Sequence, residues 1–535
     1  MRVKKLVLSS NSSALESYLK LNPYGAFNGL GSASDAANQN AGAFNGEWDR
    51  GTSNGLQNIG AFNGIFDSGS FNGSGNTGAF NGNFNSGTYN GNGNTGALNG
   101  NFNGNPALPG NGTSASFAQF GDGAVTASSG KQANEVLHAH DGMGGLTINT
   151  MIGDVDALLG TAIGGNDRIY GGNNVKAGVV MNNLVGDAGT MADHARGGND
   201  TVIGGHDSGR GGVENALIGD GVQMTGYAVG GQDLLVGGSN FGCGFVQNAE
   251  CGDAITIGGY ARGNTDLLIG GNNYGSGFVQ NALFGTAVLM NGHSQGGHDI
   301  LVGGSNFGCG WVQDAFFGDA ALMTDYAAGG SNTLIGGSNF GRGVMQEALF
   351  GDAAIMTDHA QGGGNCLVGG SNLGCGSLEN VLIGNAGLMD GYASARGDLL
   401  RGGDSFFFGD VVNVLVGDAM TLAGHAQGGN DVLIAGQAFG HRSSVENFLW
   451  GDAVDHSATA TIGNDTFIFG AESGRANFIM DFNIGDKIDF DFLGAGHGNA
   501  IHVHQVGAST EISAGGVDVY LVGYHGAIPQ GTFLV

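Results

Sequence analysis

Two sets of aspartates recur through this chain at a 33-residue interval, and no other residues are better placed to do chemistry. One set follows glycine, mostly in Gly-Asp-Ala phrases: Asp154, Asp187, Asp220, Asp253, Asp319, Asp352, Asp418 and Asp452. The other closes Gly-Gly-x-Asp phrases or near variants: Asp167, Asp200, Asp233, Asp266, Asp299, Asp398, Asp431 and Asp465. The first set lapses at Thr286 and Asn385, the second at Asn332 and Asn365. If the chain winds into coils, each set becomes a column, and stacked carboxylates need a counter-charge, most simply a metal ion. An aspartate at a glycine turn also serves as a cap for its own backbone, so each column has a purely structural reading beside the metal one.

These aspartates sit in a 33-residue unit whose copies open at Asn149, Asn182, Asn215, Asn248, Asn281, Asp314, Glu347, Asn380 and Asn413, with a tenth opening at Asn447 after one inserted residue. Self-similarity at such a period marks a solenoid or array. Four short apolar segments per copy, bounded by glycines, read as strands and turns. Whether each copy makes one wide coil or two narrow ones stays open at this level. Glycine, 111 of 535 residues, supplies the turns, while fixed Leu, Met and Val positions supply a linear core.

The charge balance, 46 acidic against 17 basic residues for a net of −29, argues against nucleic acid and anionic membrane surfaces as partners. No run of 18 apolar residues suggests a membrane-spanning helix. At the start, only Leu6, Val7 and Leu8 stand where a secretory signal needs a longer apolar run.

The phrase Gly197-Gly198-Asn199-Asp200-Thr201-Val202-Ile203-Gly204-Gly205, with Gly164 to Asp167 and Gly428 to Asp431, resembles the calcium-binding nonapeptide of RTX (repeats-in-toxin) proteins. The resemblance covers roughly residues 149–470 and implies an all-β parallel solenoid, a β-roll or β-helix. It also implies Ca2+ held by turn carbonyls and aspartates of neighbouring turns, a cage of oxygens suited to a hard cation. This chain departs from the family pattern in its broken tandem nonapeptides, its alternating Gly-Asp-Ala turn and its lapsed aspartates. The stretch Gly463 to Gly470, then Ile479 to Phe482 and Gly485 to Asp489, looks like the closing cap of RTX proteins exported by type I secretion. The terminal Gly531-Thr532-Phe533-Leu534-Val535 lacks the acidic residue that often precedes the family's apolar end. Export by the type I machinery would account for the absent N-terminal signal and would couple folding to calcium outside the cell.

The expected organisation is a segment at 1–22 with a short capped helix, an Asn/Gly/Phe-rich solenoid at 23–105, a linker or transition at 106–148, the 33-residue array at 149–455, and a C-terminal cap with secretion signal at 456–535. Within 23–105, Phe44, Phe62, Phe71, Phe80, Tyr89 and Leu98 share one nonapeptide phase, while Trp48, Phe66, Phe84 and Phe102 mark every second nonapeptide. The doubled period implies two strands and two turns per coil, with Asn-Gly turns and stacked rings; a disordered Asn/Gly tail is the plainer alternative.

Two rows of rings accompany the array: His194, Tyr227, Tyr260, His293, Tyr326, His359, Tyr392 and His425, and Phe241, Tyr274, Phe307, Phe340, Leu373, Phe406 and Phe439. Such rows usually pack coil on coil, and can also meet a glycan or partner. Cys243, Cys309 and Cys375 share a phase two copies apart, too far for a disulfide, and are expected as free thiols. Gly292-His293-Ser294-Gln295-Gly296 matches a hydrolase nucleophile elbow, but a sister copy reads Gly424-His425-Ala426-Gln427-Gly428, so Ser294 is a substituted turn residue. The expectation is a calcium-stabilised, self-assembling extracellular or cell-surface structural protein without catalysis. The alternatives are a calcium-dependent adhesin that binds cell-surface glycan and a secreted enzyme of the RTX type.

Overall fold

The phrase x-Val-Gln-Asn-Ala-Leu-x runs as one seven-residue strand, as in Phe245–Cys251 and Phe278–Phe284, because its alternating Val, Asn and Leu all turn into one interior. Two of the four expected segments therefore merge, and each copy holds three strands. The others are a four-residue strand ending in Met, such as Ala287–Met290, and a three-residue strand such as Ile300–Val302.

In the computed structural model, residues 115–493 and 501–534 are described, except 143, 441, 474 and 475, with most of 40–97 and a short piece at 24–28. The helix expected within 1–22 lies outside the described residues, as do all of the ring positions of the 23–105 segment expected to stack after Phe62.

Strand pairing settles the coil size. Phe278 to Phe284 pair in parallel register with Phe245 to Cys251 below and Trp311 to Phe317 above, each partner lying one full copy away. One copy is thus one wide coil, rising ~4.8 Å. Stacking makes three parallel sheets around a linear core: a first of seven-residue strands, a second of four-residue strands with 11 members, and a third of three-residue strands with 13. Inside run asparagine ladders. Asn182, Asn215, Asn248 and Asn281 each donate Nδ2 to the Oδ1 of the next at 2.7–2.8 Å. Asn240, Asn273 and Asn306 of the Ser-Asn-Phe-Gly turns and their Asn-Asn-Tyr-Gly variant do the same at 3.0–3.3 Å, ending on Asn339, so that turn buries its Asn and projects its ring outward.

The solenoid starts before the first recognisable copy. Ala115–Phe120, Gly123–Lys131 and Val136–His138 pair with the three strands of the next coil, so the segment expected as a linker or transition supplies a complete coil from residue 115. Its sequence hides this because pairing needs only the backbone. At the other end, Thr466–Phe469, Asn477–Ile479 and Lys487–Phe490 extend the sheets. Ile501–Val506, Ser509–Ala514 and Val517–Leu521 then turn antiparallel, and Phe533–Leu534 joins the third sheet.

The N-terminal region forms the expected small coils of two nonapeptides each, Ala41 pairing with Ile59 and Ile59 with Thr77. Phe44 and Phe62 stack at 4.9 Å and are fully buried. Positive φ falls on these two phenylalanines as well as on Gly46 and Gly64 of the Asn-Gly pairs. This small solenoid folds back along the large one, coil against coil. Gly25–Ala26 lies on Ala386–Met389, Ala41–Ala43 on Ala353–Met356, Ile59–Ala61 on Ala320–Met323, and Thr77–Ala79 on Ala287–Met290. Small residues permit the contact: a Cβ on Gly387 would overlap the Tyr24 carbonyl, and Ala321 and Ala354 are fully buried beneath it.

Candidate metal track

Two of the three glycine turns in each coil carry the acidic phrases, one between the first and second sheets (Gly-Asp) and one between the second and third (Gly-Gly-x-Asp). Both turns aim a carboxylate inward, and all sixteen expected aspartates are buried, none more than 4% exposed. Asp187 accepts a 2.8 Å hydrogen bond from the Gly198 amide with one oxygen, and Asp154, Asp319 and Asp418 accept likewise from Gly165, Gly330 and Gly429. Asp200 accepts from the Asp167 amide of the coil below at 2.7 Å, a bond repeated along that column from Asp233 to Asp465. The capping role is real, but it reaches another turn or another coil and uses one oxygen only. The second oxygen of Asp154, Asp167, Asp187, Asp200, Asp220, Asp233, Asp253, Asp266, Asp398, Asp418, Asp431 and Asp465 is buried with no donor.

Among the described residues, no Lys, Arg or His hydrogen-bonds to any of these carboxylates. Burial is the first cause of their raised pKa values, and at most of them neighbouring carboxylates add to it. Asp154 and Asp167 are pushed up to about 6, Asp266 to about 7 and Asp431 to about 8. Asp187, Asp220, Asp253 and Asp418 in the interior stand well above the ordinary carboxylate range. A dry stack of anions is untenable as it stands. The carboxyls must take up protons or a cation, and the donor set, oxygen only and anionic, fits a hard metal ion.

The coils are of two kinds. Asp154/Asp167, Asp187/Asp200, Asp220/Asp233, Asp253/Asp266, Asp418/Asp431 and Asp452/Asp465 present two carboxylates each. Four successive coils between them present one: Thr286/Asp299, Asp319/Asn332, Asp352/Asn365 and Asn385/Asp398. There the partner is a neutral hydrogen-bonding group. Thr286 donates to Asp299 at 3.3 Å, Asn332 to Asp319 at 3.1 Å, and Asn385 to Asp352 in the neighbouring coil at 2.7 Å. The second-sheet strands of these four coils lie under the small solenoid.

Glycine is obligatory beside the track. A Cβ on Gly186 would overlap the Gly219 carbonyl and Asp200 Oδ2, and one on Gly197 would overlap Asp220 Oδ1.

The structure adds members the repeat pattern does not single out. Asp122 and Glu135 of the first coil occupy the two columns, and with Asp154 they bring ligand oxygens within 4.8 Å of one another. Glu135 accepts no bond through a buried Oε2, and burial pushes its pKa up to about 7. The clue was the Gly121-Asp122 phrase, masked by its position in a supposed linker and by Glu in place of Asp. At the far end, Asp486 accepts from the Asp465 amide at 3.0 Å, and Asp481 accepts from the Gly451 and Asp452 amides at 2.8 and 3.0 Å. Separately, Glu250 replaces a core leucine, while Asp314 and Glu347 replace asparagines of the interior ladder, all fully buried.

On the outside, the expected rows of rings stack as columns. His194 to His425 are neighbours at 4.9–5.3 Å with nearly parallel planes. Phe241, Tyr274, Phe307 and Phe340 follow at 4.8–4.9 Å. Ser294 is fully buried in its turn. Cys243, Cys309 and Cys375 are exposed free thiols.

These features define a parallel β-solenoid with an interior acidic track able to hold metal ions. No family model, curated protein or solved structure matches the chain.

Proposed function

We propose that this chain is a calcium-stabilised, self-assembling structural protein of the cell exterior, without catalytic activity. The observation that carries the reading is the file of buried carboxylate oxygens with neither donor nor cationic side chain. Six two-carboxylate coils and the Asp122–Glu135–Asp154 mouth supply hard oxygen ligands at intervals of one coil. Calcium there neutralises the track and makes folding depend on the ion. The millimolar calcium of extracellular fluids matches that need, as does the resemblance of the repeats and cap to RTX proteins exported by type I secretion. Assembly is supported by the long lateral rows of exposed rings, since the antiparallel strands at 501–521 close one end of the stack.

The test is calorimetric titration with calcium followed by electron microscopy. Uptake of several ions per chain, with assemblies that dissolve in EGTA and reform on calcium addition, is expected. Assemblies indifferent to chelation refute the calcium half, and monodisperse monomers at high concentration with calcium refute the assembly half.

A second reading, a surface adhesin, is favoured by the exposure of Tyr227, Tyr260, Tyr326 and Tyr392, each 51–56%. Their faces cover one another, so a glycan would meet ring edges, phenol hydroxyls and imidazole nitrogens rather than stacking platforms. Glycan binding abolished by Tyr260→Phe with Tyr326→Phe supports it; binding unchanged by that pair, or an empty glycan screen, counts against it.

A further inference from the structure

We propose that the Ser-Asn-Phe-Gly corner is a two-fold interface at which a second copy of this chain docks antiparallel, centred on Cys309. The proposal rests on the self-assembly reading above and names the surface it uses.

The corner carries two adjacent rows. Phe241, Tyr274, Phe307 and Phe340 are 44–52% exposed, although aromatic side chains of this size are ordinarily covered. Two residues on, one coil at a time, stand Arg210, Cys243, Ser276, Cys309, Arg342, Cys375 and Phe408. Each amide from Cys243 to Cys375 bonds to the carbonyl of the coil below, so the row is a true column. Ser276 Oγ donates to Cys243 Sγ at 3.3 Å across one coil step.

That order has a centre. Reversing the column about Cys309 sets Cys309 against the partner subunit's Cys309, Cys243 against the partner subunit's Cys375, and Ser276 against the partner subunit's Arg342. Arg210 then meets the partner subunit's Phe408, whose ring already takes the Arg442 guanidinium at 5.8 Å within the chain. A parallel partner would instead set Arg342 against the partner subunit's Arg342. The same reversal lays one Phe row along the other, where a groove of about 510 Å3 runs between Phe307, Phe340, Leu373 and Phe408.

Charge points to the same occupant. The chain carries −29, so two copies repel over most of their surface, yet neither row contains a carboxylate and the second contains Arg210 and Arg342. Within one chain the thiols cannot pair, since two coils separate them by roughly 9–10 Å against a Cα limit of about 7 Å.

The thiols provide the test. In thiol–disulfide exchange with oxidised glutathione, a Cys309 thiolate attacks the glutathione disulfide and expels one glutathione thiolate. The partner subunit's Cys309 thiolate then attacks the mixed disulfide and expels the second. Two protein thiols become one disulfide, and one oxidised glutathione becomes two reduced molecules. The full chain is treated this way in calcium, and its linkages are read by peptide mass spectrometry. Cys309–Cys309 and Cys243–Cys375 linkages are expected. Cys243–Cys243, Cys375–Cys375 or Cys243–Cys309 linkages, or glutathione adducts alone, overturn the proposal. Phe307→Asp with Phe340→Asp, at exposed positions that leave the core intact, should lower the cross-linked yield at least about tenfold. Calcium-dependent assemblies that persist unchanged in that variant refute this interface while leaving self-assembly standing. Wild-type chains that stay monomeric refute both.

Discussion

The coils from Thr286 to Asp398 and the coils on either side of them share one backbone and differ in one residue of a pair. Outside, two aspartates face each other, all but Asp452 with an unpaired oxygen; in the middle, one has given way to Thr or Asn, and Asp299, Asp319 and Asp352 each accept from such a group while Asp398 keeps an unpaired oxygen. The small solenoid lies on the second-sheet strands of the middle coils. A pair of buried carboxylates is tolerable where a cation can reach it, and a lone carboxylate with an amide or hydroxyl donor is tolerable without one. The difference teaches that the cover and the side chains beneath it go together: under the outer module, three of the four surviving carboxylates have a neutral side-chain donor.

That contrast can be broken, and the largest effect should come from calcium itself. Adding the ion at about 1,000 times its dissociation constant should stabilise each occupied site by about 4 kcal/mol. Hydrogen exchange should therefore slow sharply at residues 154–266 and 418–465 and change little at 286–398. Uniform protection along the whole array would erase the distinction between the two kinds of coil.

Next is pH in the absence of metal. The folded-state pKa values are raised, from an unfolded value of about 3.9 to about 6 at Asp154, Asp167 and Asp452, about 7 at Asp266 and about 8 at Asp431. A group held above its unfolded pKa contributes stability that is full below the unfolded value and lost as pH rises through the folded one. The chelated protein should therefore melt higher at pH 5 than at pH 8, with the loss beginning near the unfolded pKa of about 4 and ending at about pH 8 where Asp431 titrates, and calcium should remove most of that slope. Thermal melts in EGTA that are flat or rise with pH would contradict the account.

Smaller changes interconvert the two kinds of coil. Asn332→Asp places a second carboxylate against Asp319 beneath the small solenoid and should cost about 3 kcal/mol at pH 8 without metal, measured by denaturant unfolding. Calcium should restore little of it if the cover excludes the ion. The reverse change, Asp200→Asn, removes one member of an outer pair and should raise metal-free stability by about 1–2 kcal/mol while lowering the number of ions bound. A loss of stability in EGTA from that substitution would show that the outer pairs are not strained by their charge.

How much of this was legible follows from what each feature depends on. The columns Asp154 to Asp452 and Asp167 to Asp465, the ring ladders and the free thiols could be read because a fixed period converts sequence position directly into spatial column. Asp122 and Glu135 could not, since their coil has lost the repeated side chains while keeping the strand pairing. Glu250, Asp314 and Glu347 were hidden in the opposite way, as single departures at positions where the pattern itself predicts Leu or Asn.

The sequence by itself determined a parallel solenoid with two inward-facing acidic columns, because glycine turns and apolar residues at a strict interval leave the chain few other ways to bury a core. Only the tertiary structure decided that each repeat copy makes a single coil, since the alternation within strands is the same for one wide turn or two narrow ones. It alone also laid the small solenoid back along coils 287–389. That contact is made by Gly and Ala surfaces, which carry no signature until the two modules are brought together and their backbones can approach.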